Sequence, residues 1–157
     1  MSLHVVLFEP EIPANTGNIA RTCLATGSTL HLIHPLGFST EDKMLKRAGL
    51  DYWPHVDVRE HASIESLYNQ HPDGTYYYIE NFGTKYYTDY DYDTVNSDLF
   101  FVFGKESSGI PKHLLSGKED KCLRVPITTD VRSLNLANTA AIIVYEALRQ
   151  QRFLDIR

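Results

Sequence analysis

LHVVLFEPEIPANTGNIARTCLAT, residues Leu3 to Thr26, is the stretch from which the fold is read. Leu3 to Phe8 are almost all apolar, the mark of a strand covered on both faces. Ile19 to Thr26 reads as a helix, and Gly27 offers it a C-terminal cap. The connector holds two prolines, then Asn15, Gly17 and Asn18, and delivers a lone arginine, Arg21, into the first helical turn. That is more backbone chemistry than a plain strand-to-helix link requires. With Asn15 or Thr16 as the cap, Arg21 stands one turn in. It then points away from an apolar stripe of Ile19, Ala20, Cys23 and Leu24. Two roles are open to it. It pairs at the surface with Glu9 or Glu11, or it serves an anion at the electropositive helix end.

The strand-then-helix pattern recurs along the chain. Further strand candidates are Leu30 to Ile33, Tyr76 to Ile79, Leu99 to Phe103 and Leu123 to Ile127, with His55 to His61 a weaker one. Helix candidates are Thr40 to Ala48, ending at Gly49, and Ser63 to Gln70, opened by a capping serine. The longest runs from about Leu134 to Phe153. Such alternation predicts an α/β fold, a mostly parallel sheet flanked by helices. No repeat, linker or composition break divides the chain, so residues 1–157 are expected to form one domain. In such sheets ligands bind at the carboxyl ends of the strands. The loops after Phe8, Ile79, Phe103 and Ile127 are therefore the places to look for chemistry.

Composition narrows the classes. Of 157 residues, 43% are hydrophobic and 22% charged, ordinary values for a soluble globular protein. No apolar run approaches the ~20 residues of a membrane helix. The N-terminus shows neither a basic leader nor a cleavage pattern, which predicts a cytoplasmic protein. Cys23 and Cys122 lie in apolar segments and read as buried thiols rather than a disulfide. A net charge of −5 argues against coating nucleic acid through bulk electrostatics, though not against a local basic site. Lys43, Lys46 and Arg47 form one compact basic cluster, either a solvated helix face or such a local site. Tyr86 to Asp98 concentrates acid and tyrosine. No phosphate loop, dinucleotide fingerprint, zinc-helix pattern or nucleophile elbow is present, and no catalytic metal is expected.

Two further segments carry unusual polarity. In FVFGKESSGIP, Phe101 to Pro111, a strand runs into Gly104, which would let a ligand lie against the backbone. Glu106 then places a carboxylate near the strand end. In RVPITTDVRSLNLANTAAIIVYEALRQ, Arg124 to Gln150, Ser133 or Asn135 leads into a helix that is aliphatic over more than half its circumference. Asn138, Tyr145 and Arg149 form a narrow polar stripe on its far side. A helix this apolar is buried on two sides, in the domain or in a subunit interface. Its asparagines need partners if buried.

Together the three segments resemble the three motifs of the SPOUT class of RNA methyltransferases. N-x-G-N-x-x-R stands as Asn15 to Arg21, F-G-x-E-x-x-G-[IL]-P as Phe103 to Pro111, and R-S-[LM]-N-[LV]-[AS]-N as Arg132 to Asn138. Their order and the short chain are similar to the minimal subfamily that methylates the ribose 2′-hydroxyl of the tRNA wobble nucleotide. EPEIPANTGNIAR and HPLGF…DKMLKRAGLDYW look specific to that subfamily. The resemblance implies a C-terminal trefoil knot and S-adenosylmethionine bound inside it, with S-adenosylhomocysteine as product and no metal. By position the cofactor residues are Ile79, Gly104, Val125, Ser133, Leu134 and Asn135. Arg21 is the implied catalytic residue, supported by Asn15, Asn18, Glu106 and Asn138. The last helix is implied to form a homodimer, with Arg21 of one subunit near the cofactor of the other. The anticodon stem-loop is the implied RNA, with Lys43, Lys46, Arg47 and Tyr145 as candidate contacts. Two other readings are a 2′-O-methyltransferase acting on another RNA, such as rRNA, and a non-catalytic RNA-binding module of the same fold.

Overall fold

Strand β1 (Leu3–Phe8) is buried along its whole length between two parallel neighbours, β2 (Thr29–Ile33) and β6 (Leu99–Phe103), in the computed structural model. The structure describes residues 2–49 and 52–157. Met1, and Leu50 and Asp51 of the subfamily-specific segment quoted above, lie outside the described residues. The remaining strands and α-helices among the described residues are α1 (Pro13–Thr26), α2 (Lys43–Gly49), β3 (Val58–His61), α3 (Ile64–Gln70), β4 (Thr75–Ile79), β5 (Lys85–Tyr86), α4 (Lys112–Leu115), β7 (Cys122–Arg124) and α5 (Leu136–Gln150). Seven strands form one sheet in the order β3-β2-β1-β6-β4-β7-β5, every pairing parallel.

The strand period of two sorts the core into two layers. Val5, Leu7, Leu30, Leu32, Tyr77 and Phe101 face α1 and α5, meeting Ile19, Cys23, Ile143 and Val144. Val6, Phe8, Ile33, Tyr78, Phe100 and Val102 face α3 and α4, meeting Ile64, Leu67 and Leu115. Both cysteines are free and buried, and burial pushes the Cys23 thiol up to about 12.

Several details differ from the sequence reading, among them the following. Helix α1 starts at Pro13, because proline suits the first helical position. Asn15, Thr16, Gly17 and Asn18 are therefore helical residues, neither cap nor turn. Leu24 is 36% exposed, so the buried stripe is Ile19, Ala20 and Cys23. Strand β7 stops at Arg124, short of the expected Ile127, because Pro126 has no N–H for the ladder. Helix α5 opens at Leu136, where the Asn135 side chain accepts the N–H groups of Ala137 and Asn138. Gly27 caps α1 as expected, at φ 69°.

On the α3 face three histidines make a buried ladder across adjacent strands. His4 Nδ1 is 2.9 Å from His31 Nε2, and His31 Nδ1 is 2.9 Å from His61 Nε2. His4 Nε2 lies 3.5 Å from the Asp98 carboxylate. That carboxylate repels a lone pair and favours an N–H, so His4 is protonated on Nε2. Each later ring then donates through Nε2 to the Nδ1 before it.

The C-terminal part of the chain is threaded. Strand β7 lies between β4 and β5, which are themselves joined by the short connection 80–84. That connection crosses directly on β7: a Cβ on Gly83 would come within 2.8 Å of the Cys122 and Leu123 backbone. Asn81 Nδ2 then donates to the Arg132 carbonyl at 3.0 Å. On the far side the acidic stretch Tyr86 to Asp98 straps across α5. Tyr92 N–H donates to Gln150 Oε1 at 2.7 Å, and Gln150 Nε2 donates to the Tyr90 carbonyl at 3.1 Å. The Tyr92 ring is wholly buried beside Tyr77 and Phe101. The chain that links β4 to β6 thus encloses the chain that links β7 to α5, the knotted arrangement expected above. No helix among the described residues is long and apolar enough to cross a membrane.

Candidate active site

The ends of β4, β6 and β7 open into a cavity of about 880 Å³. Ile79 ends β4, Gly104 follows β6, and Val125 follows β7. Ser133, Leu134 and Asn135 come from the segment threaded beneath the 80–84 connection. All six residues singled out for the cofactor line this one space. Parallel strands place their carboxyl ends together, so residues far apart in sequence converge here.

Gly104 has a steric reason beside the one expected. A Cβ there would meet the carbonyl carbon of Gly109 at 2.2 Å and the nitrogen of Ile110 at 2.3 Å. The glycine lets the two legs of the 104–110 loop close on each other, joined by the Lys105–Gly109 bridge. It thereby shapes the wall of the cavity that it lines.

The three polar segments interlock through side chains. Glu106 accepts the N–H groups of Glu11, at 2.9 Å, and Ile12, at 3.2 Å. Glu11 returns the exchange, its Oε1 accepting from the N–H of Ser107 at 2.9 Å and its hydroxyl at 2.7 Å. Those bonds hold the Glu11 carboxyl below its usual range. Helix α1 has no cap of its own, because Ile12 carries no acceptor side chain. The second segment therefore fixes the entry to the first. Asn135 ties in the third: its Oδ1 caps α5 while its Nδ2 donates to Asn15 Oδ1 at 3.0 Å. One amide thus satisfies two helices, which gives the buried Asn15 the partner it requires.

Arg21 does not line the cavity. It is exposed and lines a second, neighbouring pocket of about 520 Å³ with Asn18, Thr22, Asn135, Ala137, Asn138 and Ala141. Asn135 belongs to both pockets. The guanidinium carbon sits 4.8 Å above the Tyr52 ring, whereas Glu9 pairs with Lys105 at 3.3 Å. Neither Glu9 nor Glu11 is spent on Arg21.

Lys43, Lys46 and Arg47 are exposed on α2, and Lys46 pairs with Glu41 at 2.7 Å. That helix packs on α1, on which Arg21 stands. Tyr145 is 43% exposed on α5, on the same face as Asn138. Sequence reasoning passed over Tyr52, Ser107 and Glu80. Glu80 and Ser107 had a signal, since both lie in loops after strands whose carboxyl ends were marked. Among the described residues no group of three or more His, Cys, Asp or Glu side chains is arranged to hold a metal.

Comparison with known proteins bears on this geometry. The family described as the SpoU rRNA Methylase family matches residues 2–145. The chain is 61% identical over 153 residues to a candidate tRNA (cytidine(34)-2′-O)-methyltransferase of Geobacillus stearothermophilus, covering 98% of each chain. A solved structure of a candidate RNA methyltransferase from Bacillus anthracis is 57% identical with a TM-score of 0.92, covering 99% of this chain and 98% of that one. Another, described by the 2-OH methylation of C/U34 on tRNA, is 41% identical with a TM-score of 0.88, covering 97% of both. A match of this extent, on the same threaded sheet, establishes that the chain belongs to the SpoU methylase family and has its knotted SPOUT fold.

Proposed function

We propose that this protein transfers the methyl group of S-adenosylmethionine to the ribose 2′-hydroxyl of the wobble nucleotide of tRNA, with S-adenosylhomocysteine as product. The observation that carries the reading is Asn135. It caps α5, bonds Asn15 on α1, and lines both the cavity and the Arg21 pocket, so a cofactor site and a substrate site share one rigid wall. The likeness to the Geobacillus stearothermophilus chain, named for cytidine 34, supports the wobble cytidine. The structure described by methylation of C/U34 supports a uridine at the same position as well.

The cavity suits the cofactor in size and lining. About 880 Å³ lies within the range of small-molecule sites, which is roughly 300–1,000 Å³. Ile79, Val125 and Leu134 offer apolar wall, while Gly104, Ser133 and Asn135 bring backbone and side-chain polar groups. When bound, S-adenosylmethionine supplies a methyl group on a sulfonium, open to in-line displacement. The protein's part is to hold the attacking oxygen at about 3 Å and in line. Arg21 is the catalytic residue. A guanidine is so basic that it is already protonated and has no lone pair to take a proton, so Arg21 acts by its charge and its fork of donors. It steadies the developing alkoxide and the adjacent phosphate, and the proton leaves to water or phosphate. Asn15, Asn18, Glu106 and Asn138 hold Arg21 and the helix ends in register. No metal takes part.

Residues 1–157 act as one domain, and two copies pair through α5. In that homodimer Arg21 of one subunit reaches the cofactor of the other. Lys43, Lys46 and Arg47, with Tyr145, contact the anticodon stem-loop. A synthetic anticodon stem-loop with a 2′-deoxynucleotide at position 34 tests the target atom. It should accept no methyl group while the ribose parent does. Methylation of the deoxy substrate would overturn the assignment.

A further inference from the structure

Two carboxylates line the cavity, Glu80 and Glu106, and Glu106 is committed to the amides of Glu11 and Ile12. Glu80 is not. It directly follows β4, and its own N–H donates to the Leu123 carbonyl at 2.9 Å. Its Oε1 accepts from the Ile110 N–H. A Cβ on Gly109 would come 2.9 Å from Oε1 and 3.0 Å from Oε2, so this glycine, at φ +72°, leaves the carboxylate its place. Burial raises the Glu80 pKa, and no neighbouring cation counters it. Among the described residues no lysine or arginine forms an ion pair with it. A half-buried carboxylate with one oxygen held and no cation is destabilising unless a ligand supplies donors.

We propose that Glu80 is a further cofactor-binding residue, its carboxylate accepting hydrogen bonds from the ribose hydroxyls of the adenosine moiety. The proposal rests on the assignment of this cavity to S-adenosylmethionine. Vicinal hydroxyls present two donors to an acceptor-only group. Acidic side chains near the carboxyl edge of a parallel sheet read ribose hydroxyls in dinucleotide sites by the same chemistry. Hydrogen bonds between a hydroxyl and a carboxylate are also among the stronger ones.

Calorimetry on the full chain tests this with S-adenosylhomocysteine, adenosine, 2′,3′-dideoxyadenosine and purine riboside against wild type and Glu80→Gln. The substitution should weaken S-adenosylhomocysteine and adenosine about tenfold or more. It should leave dideoxyadenosine nearly unchanged, because that ligand has no diol to lose. Glu80→Asp retains charge but retracts it, and should show the same diol-dependent loss. Equal weakening of adenosine and its dideoxy form, or no weakening of either, overturns the proposal. A loss that disappears with purine riboside instead assigns the carboxylate to the adenine amino group and overturns the ribose contact. Failure of the wild type to bind S-adenosylhomocysteine is a separate result: it overturns the cofactor reading and this proposal with it.

Discussion

A single side chain, Arg21, separates cofactor binding from transfer in the proposed mechanism. It lines its own pocket outside the cavity, so Arg21→Ala should leave the Kd for S-adenosylmethionine close to wild type. Loss of the cation should lower kcat on tRNA by about 100-fold or more, measured by single-turnover methyl transfer. Arg21→Lys divides the charge from the fork. Recovery of most activity assigns the work to the charge, and continued loss assigns it to the bidentate guanidinium. Tyr52, beneath that guanidinium, should tolerate Tyr52→Phe, because the ring face remains. Tyr52→Ala should lower kcat with the cofactor Kd unchanged. That Arg21 points away from the core was legible from helical spacing alone. Its stacking on Tyr52 was not, since the two residues are brought together only when α2 and the chain after it fold back on α1.

Helix α1 is held at its entry by a carboxylate from elsewhere in the fold, and α5 by its own cap residue, Asn135, which is tied in turn to α1. Glu106→Ala removes two acceptor bonds at the entry to α1. The cost should be roughly 1–2 kcal/mol, seen as a fall of several degrees in Tm. Asn135→Ala removes the α5 cap, worth about 1 kcal/mol, together with the bond to Asn15. It should also lower methyl transfer more than that stability loss explains, because both pockets lose a wall. The sheet carries its own pH dependence. Burial, aided by the neighbouring histidines, holds His31 down at about 3 from an ordinary 6.5. His4 and His61 are lowered too, chiefly by burial. Below pH 6.5 the unfolded chain binds protons that the ladder refuses, so stability is full above that value and falls as the pH drops toward 3. One such proton gives a slope of about 1.4 kcal/mol per pH unit, which urea titrations between pH 7 and pH 4 should show. The strands other than the two-residue, exposed β5 were legible from local apolar pattern, as in Val5 and Leu7 against Val6 and Phe8. The start of α1 was not, because the carboxylate that holds the chain entering it, Glu106, arrives from the loop after β6. The histidine ladder was hidden for the same reason: it joins three strands that only the sheet sets side by side.

At the scale of the molecule the knot, and in the proposed homodimer the second subunit, decide whether the site is complete. The threading of 122–135 beneath 80–84 could not be read from periodicity; it entered through the resemblance of three motifs, and the fold bears it out. The acidic stretch Tyr86 to Asp98 proves to be part of that closure, a strap pinned to Gln150. For the proposed homodimer, sedimentation should give twice the 17.9 kDa of one chain. Ala141→Arg, on the partly open face of α5 beside the Arg21 pocket, should yield monomer and abolish transfer while the fold is retained. A variant that sediments as a monomer yet methylates at the wild-type rate would exclude a composite site. The central claim is tested most directly by tritium transfer from methyl-labelled S-adenosylmethionine to tRNA from cells lacking this gene, followed by nuclease mapping of the label. The account predicts label in a 2′-O-methylated nucleoside at the wobble position, and none with Arg21→Ala. Label on a base, label at another position, or a protein that binds cofactor and labels no tRNA would contradict it.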